Sequence, residues 1–329
     1  MQVVRVHQPG GPEALQLEDL PWPEPGPGEV RVKATVLGVG RPDVLIRRGT
    51  YKWMPPLPAV PGAEMVGVVD TLGPGVAAAW LGRRVLVSAR ELSQRGGGYA
   101  QAWCVPAEAL FELPDAVDDG AAACLPNLQL ALALLRCAGG VIPRSVLVPG
   151  VCGGVGSALA QVALAQGVRV IGTARGTAKQ ALARQLGVTE LAAADAATLA
   201  AEVMTLTDGQ GVDACFDHLG GDWLLAGLHA LAPFGTLVSY NLTLGAPPRD
   251  TLLEMRTLLG RSLGLRTFSM HTYDHRPAER RALMAEAIAL VAAGRIRLPE
   301  VMRLPLAQVR QAHTLLEAGE VPGKLVLVP

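Results

Sequence analysis

The chain has 329 residues, half of them hydrophobic and only 4% aromatic, so small aliphatic side chains must fill its cores. A length above about 250 residues favours two domains over one. Its 29 basic and 29 acidic residues cancel, and this balance argues against a nucleic-acid partner or an acidic membrane surface.

The five cysteines predict neither a disulfide framework nor a zinc ribbon, because their number is odd and no two stand in a CxxC spacing. The first residues lack the charged and apolar segments of a secretion signal. The most apolar stretch, 121–142, is interrupted by a proline and three polar residues, which favours a buried helix over a membrane span. We therefore expect a cytoplasmic protein with no membrane partner.

Residues 1–110 have the pattern of a β-rich domain. Short runs rich in β-branched residues alternate there with Pro/Gly turns. The predicted strands are 3–6, 29–39, 64–72 and 83–89. The stretch PWPEPGPGE is too rich in proline for a helix. This spacing predicts a compact barrel-like or sandwich domain.

From about residue 115 the pattern changes to helices alternating with apolar strands. The predicted helices are 120–138, 156–167, 177–187, 197–207 and 222–231. The predicted strands are 145–150, 169–174, 212–220 and 236–241, with a short apolar segment at 190–194. Such alternation is typical of a doubly wound parallel sheet. One more helix is predicted over 280–294, and the end of the chain has the pattern helix, turn, strand.

The segment SVLVPGVCGGVGSALAQ predicts a phosphate-binding loop. A buried strand leads into four glycines, and a helix begins at once. Glycines let the backbone approach a pyrophosphate closely, and the helix N-terminus offers free N–H groups to it. The residues of this predicted dinucleotide site are Gly150, Cys152, Gly153, Gly154, Val155 and Gly156. A purely structural glycine turn is the alternative, and we interpret the cysteine as a small packed residue rather than a redox group.

The end of the second strand of this unit favours NADPH over NADH. An NAD site usually carries an acid there for the ribose 2′-hydroxyl. Here the chain has Thr173 and Ala174, followed by Arg175 and, one helical turn on, Lys179. Two cations can pair with a 2′-phosphate, and a bound anion offsets their unfavourable place at a helix N-terminus. The alternative is that both are ordinary solvated charges.

Several blocks of the sequence resemble the quinone oxidoreductase branch of the medium-chain dehydrogenase/reductase superfamily. The blocks of the first 110 residues are HQPGGPEALQLEDLPWPEPGPGEVRVKA, RPDVLIRRGTY, LPAVPGAEMVGVV and GGGYAQAWCVP. Those further on are AAACLPNLQLALALL, the VCGGVGSALAQ loop, GQGVDACFDHLGG and the closing GKLVLVP. The resemblance runs along essentially the whole chain, and the combination of blocks is specific for the superfamily.

The resemblance implies an α/β fold with two domains. A GroES-like β-barrel domain, residues 1–118 and 265–329, holds an inserted Rossmann domain, residues 119–264, with a doubly wound parallel sheet. It further implies NADPH as the cofactor, with the nicotinamide in a cleft between the domains. Similar proteins commonly pair their Rossmann sheets edge to edge in dimers or tetramers, and we expect a homodimer.

The zinc-dependent relatives bind a catalytic metal through a Cys in the early loop, a His in a GHE block and a later Cys. Here the early loop, residues 39–43, has no cysteine, and the GHE block reads Gly62, Ala63 and Glu64. The lobe with four cysteines for structural zinc is missing as well. Because zinc needs three or four ligands in tetrahedral reach, we expect no catalytic zinc. Glu64 is then predicted to be a structural carboxylate.

The resemblance also marks residues for the substrate. Relatives carry an Asn, an Asp and a Tyr in the early loop. Asp43 and Tyr51 match, whereas Gly40 stands at the Asn position and Leu45 at that of a further Tyr. Tyr51 is predicted to donate a hydrogen bond or a proton to a reduced carbonyl, and packing beside Trp53 is the alternative. Asp43 is predicted to orient a neighbour, or else to cap the loop.

Further residues lie where relatives contact the ribose or the nicotinamide. They are His218, Gly220, Asn241, Phe268 and Lys324. A solvated surface lysine is the alternative for the last of these. His271 and His275 are expected to be solvent-facing loop histidines.

Without a metal, the Lewis-acid route to alcohol oxidation is closed. Hydride transfer from NADPH to a quinone or to an α,β-unsaturated carbonyl requires less catalytic help from the protein. The cofactor supplies the hydride, and the protein mainly positions the two partners. We therefore expect an NADPH-dependent reductase of a small-molecule quinone or enone. An enoyl-thioester reductase shares the fold and this chemistry. A non-catalytic NADPH-binding protein is the alternative from another class, and the departures at Gly40 and Leu45 are the observation that gives it some weight.

Overall fold

The structure is a computed structural model that describes residues 1–139, 141–321 and 323–329. Its Cα atoms group into two compact units. Unit 1 comprises Met1–Pro126, Ile288–Ala293 and Glu300–Pro329, and unit 2 comprises Asn127–Ala287 and Gly294–Pro299. The segment 265–287 therefore groups with unit 2, although the resemblance returned the chain to the first domain at 265. The domain limits 1–118, 119–264 and 265–329 stay a prediction.

The helices and strands follow one another in two series. Up to residue 126 they are β1 Gln2–Arg5, β2 Gln16–Asp19, β3 Glu29–Val39, α1 Arg41–Arg48, β4 Glu64–Leu72, β5 Arg84–Ser88, β6 Ala102–Pro106, β7 Leu110–Glu112 and α2 Asp119–Ala122, with α3 Leu125–Cys137 crossing the boundary. The rest are β8 Ser145–Val148, α4 Gly154–Ala165, β9 Arg169–Thr173, α5 Gly176–Gln185, β10 Glu190–Ala192, α6 Ala196–Leu206, β11 Val212–Asp217, α7 Gly221–His229, β12 Leu231–Ser239, α8 Thr251–Thr257, β13 Gly264–Thr267, α9 Pro277–Ala292, β14 Val301–Pro305, α10 Val309–Ala318 and β15 Lys324–Val328.

Unit 1 is built on a seven-stranded sheet. The strand order is β14-β15-β3-β4-β5-β7, and β6 also pairs with β3. Long β3 pairs antiparallel with β4, and the register shifts twice along this pair, which bends the strands. Its inward residues Val30, Val32 and Leu37 are fully buried, as the β-branched run predicts. The predicted β-rich character of residues 1–110 is confirmed.

Unit 2 is a parallel sheet with strand order β10-β9-β8-β11-β12-β13. Every neighbouring pair in it is parallel. Helices connect successive strands, so the predicted doubly wound sheet is confirmed. The direction of winding reverses between β8 and β11, which lie side by side although β9 and β10 separate them in the chain. Ligands of such sheets bind at the carboxyl ends of the strands beside this reversal.

Two predicted elements differ most from the structure. The helix expected over 120–138 is divided into α2 and α3 at Ala123 and Cys124. Pro126 explains the division, because it has no N–H to donate and its ring clashes with the carbonyl of Ala122 in a continuous helix. The strand expected at 236–241 begins earlier, since β12 starts at Leu231. Among the described residues, no helix combines the length and the apolar character needed to cross a bilayer.

A buried polar network joins α1 to α10 in unit 1. Arg47 is 1% exposed and donates from both terminal nitrogens to the carboxylate of Glu317, at 2.7 and 3.0 Å. Its Nε donates to the carbonyl of Gly10 at 3.2 Å. Beside it, His313 is fully buried, with Nε2 3.1 Å from the hydroxyl oxygen of Tyr99. Burial, together with the positive charge of Arg47, lowers the pKa of His313 to about 3.

This network predicts acid destabilisation through His313. An unfolded histidine titrates near 6.5, so the folded protein resists a proton that the unfolded chain accepts as the pH falls from about 6.5 towards 3. We expect His313 to remove about 2 kcal/mol of unfolding free energy between pH 7 and pH 5. Urea unfolding at both pH values measures this loss. His313→Gln should show a smaller loss than the wild type, and the exposed-site control His275→Gln should match the wild type. An unchanged loss in His313→Gln would contradict the assignment.

Candidate functional site

The carboxyl edge of the parallel sheet gathers most of the predicted cofactor residues. Asp217 of β11 pairs with Ser239 of β12, and Ser239 pairs with Thr267 of β13. The residues after these strand ends, His218, Tyr240 and Phe268, therefore start neighbouring loops at one edge. Strand β8 lies on the other side of β11, so its loop begins at the same edge.

The glycine loop after β8 turns tightly enough to exclude a side chain at Gly150 and at Gly156. Gly150 has φ +66°, a left-handed conformation that favours glycine, and its N–H donates to the Thr173 hydroxyl at 3.0 Å. The N–H of Gly153 returns to the carbonyl of Gly150 at 2.9 Å. A Cβ on Gly156 would lie 2.4 Å from that same carbonyl oxygen. The loop therefore brings bare backbone to the start of α4.

The N-terminus of α4 has the features of an anion site. Gly153 precedes the helix and supplies no side-chain cap. The first helical hydrogen bond runs from the Ser157 N–H to the Gly153 carbonyl at 2.8 Å. The N–H groups of Gly154, Val155 and Gly156 thus have no carbonyl partner within the helix, and they point towards the loop with the positive end of the helix dipole. Phosphate groups bind at such helix ends.

Cys152 connects the glycine loop to the next helix. Its side chain is buried, and its thiol donates to the Lys179 carbonyl of α5 at 3.0 Å. Burial raises the pKa of the Cys152 thiol, while the charge of Lys179 opposes that shift. A neutral, hydrogen-bonded thiol acts here as a packing group between the loop and α5.

The two cations flank the start of α5. Arg175 occupies the position just before the helix and is exposed, and Lys179 lies one turn later and is half-buried. Thr173 ends β9 and is bonded to the glycine loop through its hydroxyl. The end of β9, the glycine loop and α5 are therefore joined by hydrogen bonds of the Thr173 hydroxyl and the Cys152 thiol.

His218 places a buried and unsatisfied nitrogen at this edge. Its ring stacks on Tyr240 with centroids 5.7 Å apart, and its Cε1 would lie 3.0 Å from a Cβ on Gly150. Burial lowers the pKa of His218 to about 4, so the ring is neutral at physiological pH. Its Nδ1 is buried and no group in the described part of the chain bonds it. Such an atom costs about 1–3 kcal/mol unless another molecule supplies the partner.

The loop that carries His218 is fixed by the buried carboxylate of Asp217. Its oxygens accept the N–H groups of Leu219 and Gly220, each at 3.0 Å. Burial raises the pKa of Asp217 to about 6, and these two hydrogen bonds oppose the shift. Gly220 has φ +71°, and a Cβ there would lie 2.4 Å from the Gly245 carbonyl oxygen. This position therefore requires glycine.

The other two edge residues are placed mainly by their backbone. Asn241 is exposed, and its side-chain oxygen accepts the N–H of Leu242 at 2.9 Å. Phe268 is half-buried, and its N–H donates to the Ser239 carbonyl at 2.9 Å. Both lie on the same edge as His218, as the resemblance implied, and their contacts with a cofactor stay a prediction.

In unit 1, the Asp43 carboxylate is a buried anchor for the early loop. It is 1% exposed and accepts N–H groups from Gly40 at 2.8 Å and from Gly62 and Ala63 at 3.0 Å. Burial and the negative charge of Glu64 raise the pKa of Asp43 to about 7. The loop-cap alternative describes these contacts, because the side chain joins the start of α1 to the Gly62–Ala63 turn.

Glu64 and Lys324 form a buried ion pair in the same unit. The Lys324 ammonium donates to the Glu64 carboxylate, and the lysine is 4% exposed. The solvated-lysine alternative is therefore wrong, because the ammonium replaces its hydration with a carboxylate. A Cβ on Gly38 would lie 2.2 Å from a Glu64 oxygen, so the strand beside the pair requires glycine. Glu64 has the structural contact that the sequence predicted for it.

The aromatic residues of the early loop lie together. Tyr51 is half-buried, and its ring centroid is 5.8 Å from that of Trp53. The Lys52 ammonium lies 5.2 Å from the Trp53 ring centroid. Trp53 is thus the packing neighbour of Tyr51, as the packing alternative named it. The role of Tyr51 as a hydrogen-bond donor stays a prediction.

The structure separates the two loop histidines of the 270–275 segment. His275 is exposed, as expected. The expectation is wrong for His271, whose side chain is 18% exposed and whose Nδ1 lies 2.9 Å from Asp274 Oδ2. Arg280, 6% exposed, lies 3.5 Å from the other Asp274 oxygen. Sequence reasoning missed Asp274 and Arg280, although an arginine within an apolar helix is itself a sign of a buried polar contact.

The described residues contain no group of three or more His, Cys, Asp or Glu side chains that is placed to hold a metal ion. Zinc-dependent relatives carry a cysteine ligand in the early loop, where this chain has Gly40, Arg41 and Pro42. They carry a histidine ligand at the centre of the GHE block, where this chain has Ala63.

Two family models match the chain. A model described as alcohol dehydrogenase GroES-like domain matches residues 26–115, and one described as zinc-binding dehydrogenase matches residues 154–289. The predicted combination of a GroES-like domain with a Rossmann-type parallel sheet is thus confirmed. Among curated proteins, a quinone oxidoreductase from Pseudomonas aeruginosa is 34% identical over 325 residues, which cover 97% of each chain.

Solved structures agree over the full length. A mycobacterial protein complexed with NADPH is 32% identical, with a TM-score of 0.88 and 100% of both chains covered. Escherichia coli quinone oxidoreductase complexed with NADPH is 27% identical, with a TM-score of 0.86 and again 100% of both chains covered. The shared length and the level of identity leave one conclusion: the chain belongs to the quinone oxidoreductase branch of the medium-chain dehydrogenase/reductase superfamily.

Proposed function

We propose that this protein is an NADPH-dependent reductase that transfers hydride to a quinone or to an α,β-unsaturated carbonyl without a metal. The observation that carries the proposal is the carboxyl edge of unit 2. There a bare glycine loop, an uncapped helix N-terminus and a buried unsatisfied histidine nitrogen adjoin one another. These groups fit a phosphorylated dinucleotide, because it supplies both an anion for the helix end and polar atoms for the nitrogen.

Different residues around the glycine loop would bind different parts of the cofactor. Gly154, Val155 and Gly156 would hold the pyrophosphate through backbone N–H groups. Gly150 and Gly153 would contribute by shaping the loop, since their N–H groups are engaged with Thr173 and with the Gly150 carbonyl. Arg175 and Lys179 would pair with the 2′-phosphate, and Thr173 would keep the loop closed through its hydrogen bond to Gly150. Two similar proteins have been solved with NADPH, which supports this choice of cofactor.

The nicotinamide side would be held by the remaining edge residues. His218, Gly220, Asn241 and Phe268 start or end the loops after β11, β12 and β13. His218 is neutral, so its Nδ1 can form a hydrogen bond to a ribose hydroxyl without adding charge. Lys324 is engaged with Glu64, and we propose that it contributes by fixing that carboxylate rather than by direct contact.

Bound NADPH supplies a hydride, which is the chemistry that the amino acids themselves lack. The protein then needs to orient the acceptor and to stabilise charge on its carbonyl oxygen. The zinc ligands of related dehydrogenases are replaced by Gly40–Pro42 and Ala63, so we assign that stabilisation to side-chain donors. Relatives named quinone oxidoreductase support this substrate class.

A homodimer remains part of the proposal. Among the residues that the structure describes, strand β13 pairs only with β12, so its outer edge carries backbone groups outside the sheet ladder. Exposed leucines accompany it, namely Leu252, Leu253, Leu259 and Leu265. A second copy that pairs along β13 would cover both the edge and these side chains.

We expect the purified protein to oxidise NADPH with at least one member of a panel of quinones and enones, and to do so in the presence of a metal chelator. Absorbance at the dihydronicotinamide band follows the reaction. Tight binding of NADPH without turnover of any acceptor would instead support a non-catalytic NADPH-binding protein. Loss of turnover on chelation, restored by zinc, would contradict the metal-free part of the proposal.

The cofactor preference gives a second prediction. Arg175→Ala should weaken NADPH binding by about 10- to 100-fold, because a charge-assisted hydrogen bond contributes about 1.5–3 kcal/mol. NADH binding should change little, since NADH has no 2′-phosphate. Fluorescence titration of both cofactors measures this. Arg184→Ala, at an exposed arginine in the last turn of the same helix, is the matched control. Equal affinity of the wild type for NADH and NADPH would refute the assignment.

Tyr51 gives a third prediction. A donor aimed at the carbonyl oxygen stabilises the negative charge that develops there, and losing such a donor costs on the order of a hundredfold in rate. Tyr51→Phe should therefore lower turnover on enones up to about a hundredfold, and less on quinones, which accept electrons more readily. NADPH affinity should stay unchanged. Steady-state kinetics with each acceptor give the answer, and unchanged turnover on every enone would assign Tyr51 to packing against Trp53.

A further inference from the structure

The ring of His218 lies between the loops that follow two neighbouring strands. His218 comes directly after β11, and the loops after β8 and β12, on either side of it, contain Gly150 and Tyr240. The His218 ring stacks on that of Tyr240, with centroids 5.7 Å apart and planes 29° apart. Its Cε1 and Nε2 would lie 3.0 and 3.5 Å from a Cβ on Gly150. The ring edge that carries these two atoms thus fills the space that a side chain at Gly150 would need.

Backbone hydrogen bonds fix the separation of the two stacked residues. The Tyr240 N–H donates to the Asp217 carbonyl at 2.9 Å, directly beyond the ends of β11 and β12. The His218 carbonyl accepts the Thr243 N–H at 3.1 Å and the Thr243 hydroxyl at 2.9 Å. Because none of these bonds involves the Tyr240 ring, we expect the two loops to stay joined when that ring is replaced.

The surroundings of Nδ1 determine which ring nitrogen of His218 carries the proton. Burial lowers the pKa of His218 to about 4, so the ring is neutral at physiological pH and holds one N–H. Nδ1 is buried and has no hydrogen-bond partner in the described part of the chain. A buried N–H without an acceptor is rarer in proteins than a buried acceptor without a donor. The proton therefore belongs on Nε2, and Nδ1 stays an acceptor, as its proposed contact with a ribose hydroxyl requires.

The strand order indicates which half of a dinucleotide lies near His218. Arg175 and Lys179 follow β9, which lies on one side of β8, whereas His218 follows β11 on the other side. The proposed 2′-phosphate and His218 therefore flank the glycine loop from opposite directions. With the pyrophosphate at the start of α4, the part of the cofactor on the His218 side is the segment that leads to the nicotinamide.

We propose that Tyr240 is a positioning residue of the cofactor site; this inference rests on the proposed function. Its ring holds the imidazole of His218 beside Gly150, so that Nε2–H donates to an oxygen of the segment between the pyrophosphate and the nicotinamide ribose. Phosphate, ester and hydroxyl oxygens of that segment all accept hydrogen bonds. Burial raises the pKa of the Tyr240 hydroxyl, and the charge of Asp217 adds to this shift, so the stacking partner is a neutral phenol.

The test compares ligands that contain different parts of the cofactor. They are NADPH, 2′-phospho-ADP-ribose, which lacks only the nicotinamide, and adenosine 2′,5′-bisphosphate, which keeps only the adenosine end. Calorimetry on the full-length protein measures each Kd. Tyr240→Leu should weaken binding of the first two about tenfold, the size of one hydrogen bond, and leave the third unchanged. Tyr240→Phe keeps the ring and should restore most of the affinity.

Variants of His218 test the donor itself and do not depend on the folding of Tyr240→Leu. His218→Leu has no N–H to offer and should weaken NADPH binding as much as Tyr240→Leu does. His218→Gln keeps a donor and should bind NADPH more tightly than His218→Leu. The control His275→Leu, at an exposed histidine of the same unit, should bind all three ligands as the wild type does. In the free wild type, nitrogen NMR shifts should show the proton of His218 on Nε2.

The outcomes separate this inference from the proposed function. A wild type that does not bind NADPH would refute the proposed function itself. If the wild type binds NADPH and Tyr240→Leu binds it equally well, only the role of Tyr240 is wrong. Equal weakening of all three ligands in Tyr240→Leu would also overturn that role, because a general effect on the fold behaves in this way. A proton on Nδ1 of His218, or equal affinities of His218→Leu and His218→Gln, would overturn the assignment of Nε2 as the donor.

Discussion

The close approach of backbone to backbone at Gly150 determines how unit 2 presents its edge. The Gly150 carbonyl accepts the Gly153 N–H and leaves no space for a Cβ on Gly156, and a Cβ on Gly150 itself would lie 3.0 Å from His218 Cε1. A side chain at any of these contacts would move the start of α4 away from β8. The uncapped N–H groups of α4 would then no longer face the loop, and His218 would lose its place on Tyr240. Steric exclusion, rather than attraction, therefore organises the proposed phosphate site.

In unit 1, buried charged side chains fix the backbone geometry of α1 and of the 62–64 turn. Asp43, Glu64 and Lys324 are almost completely removed from water, which is costly unless each charge finds partners. Asp43 finds three backbone N–H groups, and Glu64 and Lys324 find each other. The pKa of Asp43, raised to about 7 by burial and by Glu64, shows that this compensation is incomplete. Such groups fix the geometry of α1 and the 62–64 turn at the expense of stability.

The sequence predicted the fold well where the physical signals are local. Strand-to-helix alternation and the glycine loop depend on residues close in the chain, so β8, the loop and α4 could be anticipated. The break between α2 and α3 depends on one residue, Pro126, within an otherwise apolar run that by itself favours one continuous helix. The start of β12 contains a Pro-Phe-Gly stretch whose residues favour a turn. Leu231 pairs with Val212 of β11, the register then shifts, and pairing resumes at Thr236, with Phe234 at φ +64° between them.

The candidate site was harder to predict, because its contacts join distant parts of the chain. The partner of Lys324 is 260 positions away, and nothing near the lysine in sequence distinguishes it from a solvated one. His271 and Asp274 are three residues apart and could have been paired by spacing, but the buried Gln129–Arg280 contact that supports them spans 151 positions. The unsatisfied nitrogen of His218 is likewise a property of its surroundings, which only the folded chain defines.

The thiol of Cys152 has a consequence for attempts to redesign the coenzyme preference. Its hydrogen bond to the Lys179 carbonyl ties the glycine turn, where we propose that the diphosphate binds, to the helix that carries the two cations. A substitution in the first turn of α5 that shifts its backbone will therefore also displace the glycine turn, so the two ends of the adenosine half cannot be tuned separately. Changes of preference toward NADH should come from side chains that leave the carbonyl of Lys179 in place, and a library for that purpose would vary Arg175 while keeping Cys152 and the α5 backbone fixed.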